Sequence, residues 1–183
     1  MKKSVFIATS LDGYIARADG DLDWLDKANL LVLKGEDCGY ASFMSTVDLL
    51  VMGRNSYEKV LSFGGWPYEK PVIVLSSRNL EIPEELKDRV YPSTETPEEL
   101  YSRLTNEGVK RIYVDGGAVI QSFLAADLIT DLTITVVPIL IASGISLFGN
   151  IENDIELEHI TTETYDFGFV QNKYVVKCGG PAA

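Results

Sequence analysis

The apolar positions of this chain follow two different periods, which predicts an alternation of strands and helices. Several short runs are rich in β-branched and aromatic residues and predict strands that are largely covered on both faces. These runs are 4–9, 47–52, 71–75, 111–115 and 132–137. In residues 36–47 the apolar side chains recur at positions three and four apart, which predicts a helix with one buried face.

Capping residues mark one further helix clearly. Thr96 can cap a helix N-terminus, Pro97 suits the first helical position, and Glu99 completes a capping box. This helix is predicted to end at Gly108. Residues 83–86 are expected to form at most one short helical turn.

The last two apolar segments, 155–165 and 169–177, flank a turn at 166–168 and predict an antiparallel hairpin. Strands and helices in alternation followed by a hairpin predict an α/β fold. It is a three-layer sandwich with a mostly parallel central sheet and an antiparallel C-terminal hairpin. Residues 19–25 are predicted to form an acidic loop, 142–149 a second loop, and 178–183 a frayed tail.

Composition narrows the class of protein. The 183 residues include 46% apolar and 23% charged residues, which is typical of one globular domain over 1–183. The formal net charge of −11 argues against nucleic acid and against an anionic membrane surface as partners. Cys38 and Cys178 match no zinc or redox spacing, so a reduced, cytoplasmic protein is expected. The acids of 19–25 do not fit a calcium loop, and we expect no metal site.

The stretch 111–124 carries the first candidate for chemistry. A strand at 111–115 is followed by Gly116 and Gly117 and then by a predicted helix. A glycine turn into a helix N-terminus offers free backbone N–H groups and the positive end of the helix dipole, which suits a phosphate. The same glycines could equally make only a tight turn between strand and helix.

Two more polar stretches follow predicted strands in the same sense. Gly53, Arg54, Asn55 and Ser56 lead into a helix, although Arg54 could be an ordinary surface cation. Residues 76–78 add two hydroxyls and an arginine, a combination that is common by chance when it stands alone. Ligands of parallel sheets gather at the carboxyl ends of strands, and three anion sites there suit the three phosphates of NADPH. The Rossmann and P-loop glycine patterns are absent from the sequence.

Five short motifs occur in an order that resembles the dihydrofolate reductase superfamily. The motifs are Ile7-Ala8-Thr9-Ser10-Leu11-Asp12-Gly13-Tyr14-Ile15-Ala16, Met52-Gly53-Arg54-Asn55-Ser56-Tyr57-Glu58, Val74-Leu75-Ser76-Ser77, Val114-Asp115-Gly116-Gly117-Ala118, and Pro138 through Leu147-Phe148. The resemblance is strongest to the branch that contains the C-terminal reductase domain of the bifunctional riboflavin-biosynthesis protein. It implies a sheet of eight strands, NADPH as the hydride donor, and a homodimer.

Carried over by position, the resemblance also implies sites for parts of the cofactor. The nicotinamide contacts would be Ala8, Ile15 and Ala16. The phosphates would meet Gly53, Arg54, Asn55 and Ser56, together with Gly116, Gly117, Ala118 and Val119. The adenosine 2′-phosphate would lie beside Leu75, Ser76, Ser77 and Arg78.

On the substrate side, the spacing of the family places its acidic residue at Asp37, which is the candidate catalytic group. Asp37 could also be a helix-start residue favoured by the dipole. Trp24 matches a substrate-side tryptophan of the family but could be a packing residue, and Tyr40 is expected on the same side. The sole histidine, His159, falls in the predicted hairpin, so serine–histidine hydrolysis and histidine-ligated metal chemistry lack their parts.

The reaction implied is hydride transfer from NADPH to an imine-type carbon of a pyrimidine-like or pterin-like substrate. One branch implies 5-amino-6-(5-phosphoribosylamino)uracil as the acceptor, and the other implies dihydrofolate or a dihydropterin. A protein that binds NADPH without catalysis is the alternative of another class. The zinc-deaminase signature that accompanies the bifunctional enzyme is absent here.

Overall fold

The computed structural model describes residues 1–149, 151 and 153–177, so the predicted tail at 178–183 lies outside the described residues. Its ten strands, in chain order, are β1 Lys2–Ser10, β2 Tyr14–Ala16, β3 Leu49–Gly53, β4 Val72–Leu75, β5 Val90–Ser93, β6 Arg111–Asp115, β7 Asp131–Val137, β8 Ile145–Ser146, β9 Leu157–Thr164 and β10 Val170–Val176. Eight of them form one sheet in the order β5-β4-β3-β6-β1-β7-β10-β9. The strands from β5 to β7 pair in parallel, and β10 runs antiparallel to both of its neighbours.

Helices lie on both faces of this sheet. They are α1 Asp23–Asn29, α2 Tyr40–Ser45, α3 Arg54–Leu61, α4 Pro97–Asn106 and α5 Gly117–Ala125, with a single 3-10 turn at Glu84–Leu86. Side chains of α4 and α5 pack with one face of the central strands. Side chains of α2 and α3 pack with the other face. This arrangement confirms the predicted α/β sandwich and its mostly parallel sheet with an antiparallel hairpin.

The strongest local signals are confirmed. The stretch after Lys110 forms β6 and then α5, and Thr96 and Glu99 make both hydrogen bonds of the predicted capping box. The Thr96 hydroxyl accepts from the Glu99 N–H at 3.3 Å, and the Glu99 carboxylate accepts from the Thr96 N–H at 2.9 Å. The hairpin forms as β9 and β10.

Three local predictions are wrong. The acidic stretch 19–25 is not all loop, because α1 begins at Asp23, where Arg17 and Lys27 pair with the Asp23 carboxylate. The helix predicted over 36–47 spans only α2, because Gly39 takes a left-handed conformation with φ +79°. The loop at 142–149 contains β8, which pairs with β2 to form a small second sheet.

No helix within the described residues is both long enough and apolar enough to cross a membrane.

Candidate functional site

The three predicted anion sites follow three adjacent strands. The sheet order places β4, β3 and β6 side by side, and all three run in the same direction. Their carboxyl ends lead into residues 76–78, α3 and α5 respectively. The sequence predicts that each stretch follows a strand, and the structure shows that the three strands are neighbours.

The two central helices begin without a side-chain cap. Gly53 and Gly116 occupy the N-cap positions of α3 and α5, and no side chain among the described residues caps either helix start. By contrast, α4 begins with the complete capping box at Thr96. The first N–H groups of a helix have no partner within the helix. The starts of α3 and α5 are therefore suited to an anionic ligand.

Glycine allows the chain segments at this point to approach closely. A Cβ built on Gly116 would lie 2.1 Å from the Ser56 hydroxyl oxygen, and Gly116 has φ +85°. A Cβ on Gly117 would lie 2.9 Å from Cδ1 of Ile15. Ser56 and Ile15 therefore lie directly against the glycine pair, although they are far from it in sequence.

The other residues expected around the cofactor phosphates surround the same point. A Cβ on Gly53 would lie 3.2 Å from Val119, so the starts of α3 and α5 are in contact. Asn55 and Ala118 are exposed in the first turns of the two helices. Ala16 is buried in β2, where it pairs with β8.

The two arginines at this edge have different surroundings. The Nε of Arg54 lies 2.6 Å from a carboxylate oxygen of Glu58, one turn along α3. Arg78 is exposed and has no ion-pair partner in the described part of the chain. Its backbone is held by Ser76, whose hydroxyl donates to the Arg78 carbonyl at 2.8 Å and accepts from the Arg78 N–H. Ser77 is exposed beside it, and Leu75 is the last residue of β4.

A cleft of about 510 Å³ opens on the face of the sheet that carries α2. Its lining is mostly apolar. The cleft lies between residues of β1 and β7 on one side and the segment that connects α1 to α2 on the other. The lining residues are Phe6, Ala8, Leu25, Asn29, Val32, Leu33, Glu36, Asp37, Cys38, Tyr40, Thr135 and Phe169. The structure thus brings Ala8, Asp37 and Tyr40 together in one cleft.

Trp24 does not line this cleft. It is 1% exposed and packs with Val137, Ile141 and Phe169. Of the two interpretations offered for Trp24, substrate contact or packing, its position corresponds to packing.

Asp37 acts on the backbone at the start of α2. One carboxylate oxygen accepts from the Gly39 N–H at 2.9 Å and the other from the Ala41 N–H at 2.8 Å. Both oxygens are therefore used by the helix start. This geometry corresponds to the helix-start interpretation of Asp37.

Sequence reasoning missed a second acid, Asp115, as a candidate functional residue. It is the last residue of β6, and its side chain lies 3.3 Å from the Tyr113 hydroxyl. Burial raises the pKa of the Asp115 carboxyl, against the opposing effects of the Gly116 N–H and the Tyr113 hydroxyl. Burial, followed by the charge of Asp115, raises the pKa of Tyr40 to about 12. Tyr40 thus lines the cleft and is influenced by the charge of Asp115.

The position of Asp115 before the glycine pair was visible in the sequence, but its environment was not. Burial and the charge of Asp115 also raise the pKa of Tyr68, whose loop is far from β6 in sequence. A buried carboxyl retains its proton to higher pH than an exposed aspartate does, and at Asp115 this effect of burial outweighs the opposing hydrogen bond from Tyr113. Perturbed carboxyls of this kind are typical of functional sites.

A family model and two curated relatives match most of this chain. The model of the RibD C-terminal domain matches residues 4–170. The uncharacterized protein YwjB of Bacillus subtilis (strain 168) is 36% identical over 161 residues, covering 85% of this chain and 87% of that protein. The uncharacterized protein YyaP of the same strain is 26% identical over 186 residues, covering 92% and 91%.

Solved structures share the fold. A crystal structure from Shewanella sp. PV-4, of a protein assigned provisionally to riboflavin biosynthesis, superposes with a TM-score of 0.91 at 41% identity, covering 97% of this chain and 100% of that one. The diaminohydroxyphosphoribosylaminopyrimidine deaminase/5-amino-6-(5-phosphoribosylamino)uracil reductase of Thermotoga maritima superposes with a TM-score of 0.72 at 12% identity. This match covers 96% of this chain and 56% of that one, and it is a likeness of fold.

Proposed function

Because this chain belongs to the RibD C-terminal domain family, we propose that it is an NADPH-dependent reductase of an imine-type carbon in a pyrimidine-like substrate. The proposed acceptor is 5-amino-6-(5-phosphoribosylamino)uracil, whose ring-opened ribosyl imine would be reduced to an amine. One observation carries the proposal. Two uncapped helix starts meet at a glycine pair, and the same edge of the sheet borders a mostly apolar cleft.

The residues fit the cofactor because backbone N–H groups at two helix starts are free to bind phosphate oxygens. The starts of α3 and α5 would hold the pyrophosphate, since the first N–H groups of both helices have no side-chain cap from the described residues. Residues 76–78 would hold the 2′-phosphate. Ala8, Ile15 and Ala16 would border the nicotinamide. When bound, NADPH supplies a hydride from C4 of its nicotinamide ring.

The protein's own part in the reaction is orientation, exclusion of water and control of a proton. Reduction of a C=N bond to an amine takes one hydride on carbon and one proton on nitrogen. We assign the proton-holding role to Asp115 rather than to Asp37, because burial favours the protonated form of Asp115. Tyr40 lines the cleft, and because its pKa is raised to about 12 its hydroxyl stays protonated at neutral pH.

Thermal unfolding with NADPH and NADH in parallel tests the cofactor, because a ligand that binds only the folded state raises the melting temperature. We expect a larger shift with NADPH. Oxidation of NADPH in the presence of 5-amino-6-(5-phosphoribosylamino)uracil then tests the substrate.

Other outcomes would point to the alternatives. Turnover with dihydrofolate and none with the pyrimidine would favour a dihydropterin reductase. An NADPH shift with no turnover of either acceptor would favour a binding protein. No shift with either nucleotide would contradict the reductase.

We also propose that the protein is a homodimer and that β9 is part of its interface. All eight residues of β9 are exposed, including Leu157 and Ile160, and the strand lies at the edge of the sheet. An edge strand presents unpaired backbone groups that another chain can meet. A second copy of this chain would cover both these groups and the apolar side chains.

A further inference from the structure

Three side chains form a row across the floor of the cleft. Ala8 on β1 is the register partner of Thr135 on β7, and Thr135 is the partner of Gln171 on β10. Ala8 and Thr135 line the cleft. Gln171 lies beside Thr135 and is 1% exposed, so it is a buried polar group next to the floor.

The hydrogen bonds of Gln171 fix the orientation of its amide. Its Nε2 donates to the Cys38 carbonyl and to the Thr135 hydroxyl oxygen, both at 2.9 Å. A backbone carbonyl can only accept, so the NH₂ group of Gln171 must face Cys38. Both protons of that NH₂ group are then used, one on each partner.

This orientation determines what Thr135 can do. Its hydroxyl oxygen accepts from Gln171, and within the described residues its own proton has no acceptor. Thr135 lines the cleft, where a hydroxyl with a free proton is a donor for a ligand. The side chain is 5% exposed and its position on β7 is fixed by the sheet, so this donor is preorganised.

The arrangement has a cost in stability. The Oε1 of Gln171 is buried and has no hydrogen-bond partner in the described part of the chain. An unpaired buried acceptor is unfavourable, and methionine would occupy similar space without one. Packing alone therefore does not explain a glutamine at this position. Its hydrogen bonds do, because one orients the Thr135 hydroxyl and the other holds the Cys38 carbonyl.

We propose that the Thr135 hydroxyl donates a hydrogen bond to a carbonyl oxygen or ring nitrogen of the substrate, and that Gln171 is the residue that positions it. Gln171 does not touch the ligand. It also holds the Cys38 carbonyl, so it fixes one wall of the cleft relative to its floor. This inference rests on the proposed function, since the acceptor atoms that it requires are those of a pyrimidine ring.

Four variants test the proposal. Thr135→Val removes the hydroxyl, Thr135→Ser keeps it, and Gln171→Met removes the amide. Thr133→Val is the matched control, since Thr133 lies two residues away on the same strand and has no hydrogen bond to Gln171. Calorimetry without NADPH measures the Kd for 5-amino-6-(5-phosphoribosylamino)uracil. Steady-state rates give KM and kcat, and thermal unfolding gives Tm.

We expect Thr135→Val to raise the Kd and KM for the pyrimidine by about three- to tenfold, the range for one neutral hydrogen bond, with kcat and the Kd for NADPH little changed. Thr135→Ser should restore the wild-type Kd. Gln171→Met should raise the same Kd, an effect that a purely structural glutamine would not have. Thr133→Val should have neither effect.

A wild-type Kd for the pyrimidine in Thr135→Val would overturn the inference and leave the reductase intact. A loss of Tm in Gln171→Met without any change in pyrimidine Kd would overturn the role of Gln171. If the wild-type protein binds the pyrimidine but does not reduce it, the proposed reaction fails, and a weaker Kd in Thr135→Val still supports the inference. If the wild-type protein does not bind the pyrimidine, both fail.

Discussion

Gly116 lies so close to Ser56 that a Cβ at position 116 would be 2.1 Å from the Ser56 hydroxyl oxygen. Gly116 also has φ +85° and ψ 136°, a region that side chains other than glycine rarely enter. Gly116→Ala should therefore lower the free energy of unfolding by at least about 2 kcal/mol, from steric overlap and backbone strain together. Urea denaturation measures the loss.

The control for this substitution is Gly65→Ala. A Cβ built on Gly65 meets no described atom within 4 Å, and Gly65 has no positive φ, so its replacement should change stability little. Adding Ser56→Ala to Gly116→Ala should recover only part of the loss, because the backbone strain remains. Equal stability of Gly116→Ala and Gly65→Ala would contradict the close approach.

Arg78 should determine the choice between NADPH and NADH. Its exposed guanidinium has no ion-pair partner in the described residues, and a 2′-phosphate would provide one. Arg78→Ala should weaken NADPH binding about tenfold or more and leave NADH binding unchanged. Titration of both nucleotides by fluorescence measures the ratio.

Arg54 gives a contrasting expectation, because its Nε already forms an ion pair with a Glu58 carboxylate oxygen at 2.6 Å. Arg54→Ala should weaken NADPH and NADH alike, since both carry the pyrophosphate. Glu58→Gln should strengthen both by removing a competing negative charge. A selective effect of Arg54→Ala on NADPH would place the 2′-phosphate at α3 instead of at residues 76–78.

Asp115 should give stability a specific dependence on pH. Its pKa in the folded protein is raised, so the folded state holds this proton more tightly than the unfolded state does. The contribution of Asp115 to the free energy of unfolding is then greatest below its unfolded pKa of about 4, and it falls as pH rises toward the folded pKa. Asp115→Asn should remove that fall and be at least as stable as wild type at neutral pH, while turnover drops. Unfolding across pH and the pH profile of kcat measure both effects.

Asp37→Asn is the matched comparison for Asp115→Asn. Asparagine has a single acceptor oxygen, whereas the Asp37 carboxylate accepts from Gly39 and from Ala41 with different oxygens. A loss of about 1 kcal/mol in stability is expected, with the pH profile of turnover unchanged. A lost acidic limb in Asp37→Asn, with a normal profile in Asp115→Asn, would reverse the two assignments.

The exposed strand β9 leads to a prediction about assembly. Ile160→Lys puts a charge on the edge strand and should convert the proposed dimer to a monomer, as read by light scattering after gel filtration. Tyr91→Lys changes an exposed residue on β5 at the opposite edge of the sheet and should leave the dimer intact. Dissociation by Tyr91→Lys alone would move the interface to β5.

The sequence predicts best those features that depend on neighbouring residues. The capping box at Thr96 and the turn at Gly116 are local, and both were correctly located. The helix expected from position 36 is shorter because Gly39 is left-handed, a conformation that apolar spacing does not reveal. The raised pKa of Asp115 depends on burial, which only the folded chain creates. Tyr40 and Tyr68, whose own pKa values are raised in part by the charge of Asp115, come from two other parts of the chain.

Gln171 belongs to a strand that is made late, yet it inserts between β7 and β9 and holds the carbonyl of Cys38. The glycine pair and both uncapped helix starts are complete once residue 119 has been synthesised. During synthesis on the ribosome, the residues of the phosphate side are therefore made before those that complete the floor of the cleft. Because a domain folds as a unit, the substrate side of this site depends on the last strand of the sheet, and loss of β10 would remove the residue that positions Thr135.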